Sequence, residues 1–342
     1  MLRQTVILIT GASGEIGHGL ITRLTEEMES NPIITLDLNP LGKELTPLVR
    51  HQYIGSILDS QLLDRILAEF EIDFVFHLAA LLSTRSEFAP ATAHKVNVEG
   101  TMAMLEFAQR QGESHGRPVK FMYPSSIAAY GMPSLKAKAK AGKVKEDDFN
   151  HPTTIYGCNK LYCEQLGRYY ARYYKQLAAV KLMGKVDFRC IRFPGLISAA
   201  TLPSGGTSDF APEILHAAAQ GKPYACFVRP DTRIPFMAMP DSVEALLKLA
   251  AAPAEKLTQN VYNIGAFNPS AAEMRQRVLA EFPNAQITTK VDENRQHIVD
   301  SWPEDVDDSA ARRDWGLAPR YDLETAFKDY LLPGIRKRYG RG

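Results

Sequence analysis

A phenol and an ammonium one helical turn apart, in Tyr156-Gly-Cys-Asn-Lys160, are the residues of this chain whose types and spacing point most directly to chemistry. A separation of four puts both side chains on one face of a helix. Taking the proton from an alcohol while hydride leaves its carbon requires a base, and a tyrosine at its ordinary pKa of about 10 is mostly protonated near neutrality. A cation beside the phenol favours the phenolate, and a tenfold gain in its acidity corresponds to about 1.4 kcal/mol. Lys160 can also hold a ribose. Upstream, Tyr123-Pro-Ser-Ser-Ile-Ala-Ala-Tyr-Gly131 closes a predicted strand with hydroxyls, and Ser126 there can donate a hydrogen bond to the reacting oxygen. A simple strand-end turn is the other reading of Ser126.

A hydride needs an acceptor, and the amino-terminal segment offers a place for one. Thr5-Val-Ile-Leu-Ile-Thr-Gly-Ala-Ser-Gly-Glu-Ile-Gly17 runs a predicted strand into Gly11-x-x-Gly14-x-x-Gly17 and then a helix. The first glycine permits the tight turn, the second lets backbone approach a pyrophosphate, and the third lets helix and strand pack, which aims the helix N-terminus at the anion. Twenty positions after Gly17, Asp37 ends the second predicted strand. It can accept both adenosine ribose hydroxyls and would repel a 2′-phosphate, so NAD is expected rather than NADP. Asp37 can alternatively cap the turn it forms with Asn39 and Pro40. The other expected cofactor contacts are Ser13, Glu15 and Ile16 in the loop, Ser56 and Ile57 where an adenine edge could be held, Leu78, Ala79 and Ala80 at a strand end, and Phe193 and Leu196 around the last predicted strand.

The elements that must position these groups follow from periodicity. Short apolar runs at Thr5–Thr10, Ile33–Asp37, Phe74–Ala79, Lys120–Tyr123 and Asp187–Phe193 alternate with helix-length amphipathic segments at Gly14–Met28, Ser60–Phe70, Asn97–Gln111 and Thr154–Tyr174. That alternation predicts an α/β chain, a Rossmann-like doubly wound parallel sheet. After Pro194 the pattern changes to Pro- and Gly-punctuated loops with a helix near Pro212–Gln220. At 342 residues the chain exceeds the roughly 250–300 at which one core stops growing, so a second lobe is expected. The expected division is a nucleotide-binding domain over 1–195, with part of 235–265 returning to it, and a smaller α/β substrate lobe over 196–342.

Composition excludes several classes. A net charge of +1 and the lack of a Lys/Arg face interleaved with aromatics argue against nucleic acid. The one basic run, Lys136 to Lys145, is rich in Ala and Gly and reads as a solvated loop. No apolar stretch approaches the roughly 18–20 residues of a membrane span and no signal-peptide pattern opens the chain, so a cytoplasmic protein is expected, with no membrane partner. Cys158, Cys163, Cys190 and Cys226 lack paired spacing, and the eight histidines are scattered, so neither disulfides nor a metal site is expected.

The glycine loop, the Ser-Ser-x-x-x-Tyr-Gly stretch and Tyr-x-x-x-Lys together resemble the extended short-chain dehydrogenase/reductase superfamily over essentially the whole chain. The resemblance implies that Asn97, in Asn-Val-Glu-Gly-Thr101, supports the active-site backbone and belongs with the cofactor contacts. Phe193-Pro-Gly-Leu-Ile-Ser198, Pro203-Ser-Gly-Gly-Thr-Ser-Asp-Phe-Ala211, Phe227-Val-Arg-Pro-Asp-Thr-Arg-Ile-Pro-Phe-Met-Ala-Met-Pro-Asp241, Tyr262-Asn-Ile-Gly-Ala-Phe-Asn-Pro-Ser270 and Ile298-Val-Asp-Ser-Trp-Pro303 are similar to the short-chain-type L-threonine 3-dehydrogenases. That likeness implies NAD-dependent oxidation of L-threonine to 2-amino-3-ketobutyrate. It implies substrate contacts at Ser83, Ser126, Tyr156, Ser204, Thr207, Asp209 and Trp302, and a homodimer formed through the helix after Tyr156. Asp209 can equally cap the following helix, and Trp302 can equally be core. A nucleotide-sugar epimerase or dehydratase and a non-catalytic dinucleotide-binding regulator are the alternatives. The first would need a larger pocket with basic groups for phosphate, the second would have no use for an intact Tyr/Lys/Ser set.

Overall fold

In the computed structural model, which describes residues 3–27, 32–178, 184–203 and 205–340, the centre is a seven-stranded sheet. Its strands are β1 (Gln4–Thr10), β2 (Ile33–Asp37), β3 (His51–Ile54), β4 (Phe70–His77), β5 (Val119–Ser126), β6 (Val186–Phe193) and β7 (Val261–Asn263). They run parallel in the order β3-β2-β1-β4-β5-β6-β7. The longer helices include α1 (Glu15–Glu27), α2 (Ser60–Glu69), α3 (Gly100–His115), α4 (Ile155–Arg172), α5 (Phe210–Gln220) and α6 (Met239–Ala251).

The continuous apolar run of β1 is what a strand covered on both faces requires. Val6 and Leu8 go to one side, into a core with Ile66, Met104, Leu105 and Cys163 from α2, α3 and α4. Ile7 and Ile9 go to the other, into a core with Leu20 and Ile21 of α1 and Val243 and Leu246 of α6. All four strand residues are at most 1% exposed, and each such side chain contributes about 1.5–3 kcal/mol relative to leaving it in water.

The chain leaves the sheet after β6 and returns to it. Gly195–Ile197 pairs in parallel with Phe236–Ala238, α6 then packs on α1, and β7 extends the sheet beyond β6. Arg189 fixes this return. Its buried guanidinium donates to the Leu249 and Ala252 carbonyls, both at 2.6 Å, and pairs with Asp187, so a cation caps the carboxyl end of α6. A second body packs Phe210, Phe227, Phe236, Trp302 and Phe327 into a core of its own.

Several boundaries differ from the periodicity. β3 escaped it because only Tyr53 of its four residues is buried, which leaves no alternation to detect. Asn97 does not start a helix: it lies in a π turn, Lys95–Glu99, between the helical turn Pro90–His94 and α3. The helix expected to reach Met28 is described to Glu27, Met28 lying outside the described residues. The basic run is not a solvated loop. It folds into the helix Leu135–Ala141 and the strand Lys143–Val144, and Lys138 is buried with its ammonium on the Val299 carbonyl at 3.0 Å. Among the described residues no helix is long and apolar enough to cross a membrane.

Candidate active site

Strand order reverses between β1 and β4, and in open α/β sheets ligands occupy the crevice beyond the carboxyl ends at that point. A cavity of about 870 Å³ opens there, between the sheet and the second body, within the size range of cofactor sites. Gly11, with φ of 67°, turns the chain out of β1 where a Cβ would stand 2.5 Å from the Ala79 amide nitrogen. Gly14 faces the cavity instead: only the Gly11 carbonyl, at 3.3 Å, lies near the place of its missing Cβ. Backbone bare of side chain, followed directly by the N-terminus of α1, is the cradle a pyrophosphate fits.

Asp37 does two things at this loop. Its Oδ2 accepts the Ser13 N–H at 3.0 Å and its Oδ1 the Asn39 N–H at 2.9 Å, so it ties the glycine loop to β2 and also caps the turn. Each carboxylate oxygen can accept more than one hydrogen bond, which leaves room for ribose hydroxyls. Ser13, Glu15, Ile16, Gly17, Ser56, Ile57, Leu78, Ala79, Ala80, Phe193 and Leu196 line the same cavity. Glu15 also spans the cleft, accepting from the Thr201 hydroxyl at 3.0 Å.

Tyr156, Lys160 and Ser126 line the cavity together, carried by the end of β5 and the first turns of α4. Thr154 starts α4 by accepting the Gly157 N–H at 3.0 Å, which sets the phase of the helix and turns Tyr156 and Lys160 to one side. Lys160 is buried, donates to the Pro124 carbonyl at 2.6 Å, and stands 5.5 Å from the centre of the Tyr156 ring and 4.6 Å from that of Tyr123. Burial lowers its ammonium to about 8. Burial also pushes the Tyr156 phenol above its ordinary value, with a hydrogen bond to Ser126 opposing the rise. Ser126 thus acts on the phenol by hydrogen bond, and the Lys160 ammonium lies on the same side of it.

A buried ionic network lies beneath these groups. Glu164, one turn beyond Lys160, accepts Arg192 Nε at 2.8 Å and Nη2 at 2.6 Å and the Ser125 hydroxyl at 2.5 Å. Both ionic side chains are at most 2% exposed, and the Arg192 guanidinium also donates to the Glu146 carbonyl and lies over Tyr130. His77 of β4 is buried between the Thr10 hydroxyl at 2.8 Å and the Thr101 hydroxyl at 3.1 Å, and burial depresses it to about 3.

The remaining candidates separate. Ser83, Asp209 and Trp302 line the cavity, and Trp302 is also core, 3% exposed with its indole N–H unpartnered. Asp209 precedes α5 but makes no side-chain cap. It accepts the Gly206 N–H at 2.6 Å, and burial raises its carboxyl. Thr207 does not line the cavity: its N–H and hydroxyl both bond to Ser83 Oγ, at 3.2 and 3.3 Å, which turns it into the loop. Asn97 does not line it either, because its amide is turned onto the Leu81 backbone, accepting the N–H at 2.7 Å and donating to the carbonyl at 3.0 Å. It supports the strand-end loop without facing a ligand. Ser204 lies outside the described residues. Arg85, Pro212 and Met239 are lining residues that sequence reasoning missed. Met239 carries a signal, lying within the Phe227–Asp241 block, while nothing in the sequence singles out Arg85. Among the described residues no three His, Cys, Asp or Glu are grouped to hold a metal ion.

A parallel sheet of this order, with a glycine cradle and a Tyr/Lys/Ser set in one cavity, defines an NAD-dependent oxidoreductase. The chain belongs to the NAD dependent epimerase/dehydratase family, whose model matches residues 7–265, and NAD is its cofactor. Within that family it is similar to the mitochondrial L-threonine 3-dehydrogenase of Bos taurus, 36% identical over 321 residues, which are 94% of this chain and 80% of that protein. Among solved structures, the holo form of a GalE-like L-threonine dehydrogenase from Cupriavidus necator aligns with a TM-score of 0.84 at 35% identity, covering 96% of this chain and 99% of that one. A monomeric L-threonine 3-dehydrogenase from a metagenome aligns with a TM-score of 0.85 at 33% identity, covering 97% and 99%.

Proposed function

We propose that this chain oxidises the 3-hydroxyl of L-threonine to 2-amino-3-ketobutyrate. The observation that carries the reading is the convergence of Tyr156, Lys160 and Ser126 on the cavity that the glycine cradle opens into. NAD, when bound, accepts the hydride and brings the positive charge of its oxidised ring. Tyr156, protonated at rest because it is buried, becomes the base as positive charge gathers around it, and Lys160 adds to that charge while holding the ribose. Ser126 donates to the substrate oxygen. Ser83 and Asp209 contact the amino acid, and Trp302 closes the wall against its methyl group.

The test is NADH appearance with L-threonine, D-threonine, L-serine and nucleotide sugars, in the parent and in Tyr156→Phe. Turnover is expected with L-threonine, falling by about 10²–10⁴-fold in the variant while NAD still binds. Threonine inert in the parent, or oxidised equally by the variant, refutes the assignment.

The chain is further proposed to form a homodimer through α3 and α4. These helices pack side by side and leave Met102, Tyr162 and Tyr169, with Tyr173 just past α4, between 38% and 53% exposed. Four free thiols suit a reducing compartment, and the cytoplasm is the proposed one.

A further inference from the structure

One guanidinium lines the cavity without a part in the proton or hydride chemistry. Arg85 lies two residues past Ser83 on the short helix Ser83–Phe88, and it lines both the main cavity and an adjoining one of about 180 Å³. Among the described residues no carboxylate lies within ion-pair distance of it and no acceptor takes its N–H groups. The other charged lining groups are engaged: Lys160 on Pro124, Glu15 on Thr201, Asp37 on the glycine loop, and Asp209 on the Gly206 N–H.

The surroundings give the free cation a purpose. Thr84 donates to the Gly205 carbonyl at 2.7 Å and Ser83 accepts from Thr207, so the helix of Arg85 is stitched to the loop that ends in Asp209. A cation without a protein counter-ion and the half-buried Asp209 therefore share one end of the cavity. That pairing is the electrostatic image of an α-amino acid, whose carboxylate fits the planar fork of a guanidinium and whose ammonium needs an acceptor. The smaller cavity, walled by Leu82 and Gly205, gives the carboxylate space beside the guanidinium.

We propose that Arg85 anchors the α-carboxylate of the substrate, so that the enzyme selects 3-hydroxy amino acids with a free carboxylate over related alcohols that lack one. This role rests on the threonine reading above and sharpens it.

The experiment compares the parent, Arg85→Gln and Arg85→Lys on L-threonine and on L-threonine amide, which keeps the alcohol and amine but not the carboxylate. NAD affinity is followed separately by fluorescence titration. Arg85→Gln is expected to raise KM for threonine about 10- to 100-fold, the size of a lost hydrogen bond to a charged group, with the loss falling on KM rather than kcat. Arg85→Lys should lie between. KM for the amide and the affinity for NAD should not move. Equal losses on threonine and amide would assign Arg85 to loop structure, and a fall in NAD affinity instead would turn its charge to the pyrophosphate; either overturns the proposal. A parent inactive on threonine ends the threonine reading and this proposal together. An active parent matched by Arg85→Gln ends this proposal alone.

Discussion

Replacing Glu164 by Gln should cost this protein more stability than almost any other single-atom exchange. The carboxylate is fully buried and receives three hydrogen bonds, two from the Arg192 guanidinium and one from Ser125. Removing one partner of such a pair leaves an uncompensated buried charge, which costs about 3–5 kcal/mol. Gln keeps one acceptor for Arg192 but meets a second guanidinium N–H with its own NH₂, so the loss should lie near the lower figure. The damage reaches the site because Ser125 precedes Ser126 and Glu164 follows Lys160 by one turn. Urea unfolding at pH 7, followed by the fluorescence of Trp302 and Trp315, should show a lower midpoint for Glu164→Gln. The double variant Glu164→Gln/Arg192→Met removes the stranded charge and should recover part of the loss. A single variant within about 1 kcal/mol of the parent, or a double variant worse than the sum of the two singles, would refute this account of the network.

Three further outcomes follow from the geometry. Asp37→Ala should lower kcat/KM for NAD about 10- to 100-fold, the worth of hydrogen bonds to a charged acceptor, and narrow the preference over NADP; an unchanged ratio would remove Asp37 from cofactor selection. His77, held near 3 when folded but near 6.5 when unfolded, is neutral in the native state, so its contribution is present above pH 6.5 and is lost as pH falls toward 3. Between pH 6.5 and 5 that loss is about 2 kcal/mol, and His77→Gln should flatten the acid side of a stability profile measured by urea midpoints. Arg189→Met should lower the thermal midpoint without changing KM for either substrate, since it frees the carboxyl end of α6 far from the cavity; an altered KM would contradict its purely structural placement.

Features that the sequence declared were those whose meaning is local. Gly11, Gly14 and Gly17 are read by spacing, Asp37 by its place at a strand end, and Tyr156 and Lys160 by one helical turn. Each depends on neighbours close in the chain. Features it concealed depend on contacts between distant segments. Thr207 has the look of a ligand contact, but Ser83, 124 positions away, occupies its hydroxyl. Lys138 reads as solvated because the Val299 carbonyl that receives it lies 161 positions on. Arg85 reads like any surface cation, since only the folding of residues 205–209 against its helix gives it a place in the cavity. β3, with one buried residue, is too short to announce itself by period.

The path of the chain after β6 has a practical outcome for anyone wishing to divide the molecule. A fragment ending near residue 195 would look self-sufficient by its glycine loop and its Tyr/Lys pair. It would nevertheless lack α6, stripping Ile21 and Leu24 of cover, and it would lack β7, leaving the N–H and C=O groups of Cys190 to Arg192 as a naked sheet margin. Such a margin recruits other chains, so the excised fragment should precipitate, and attempts to graft this nucleotide site elsewhere must carry residues 236–265 along.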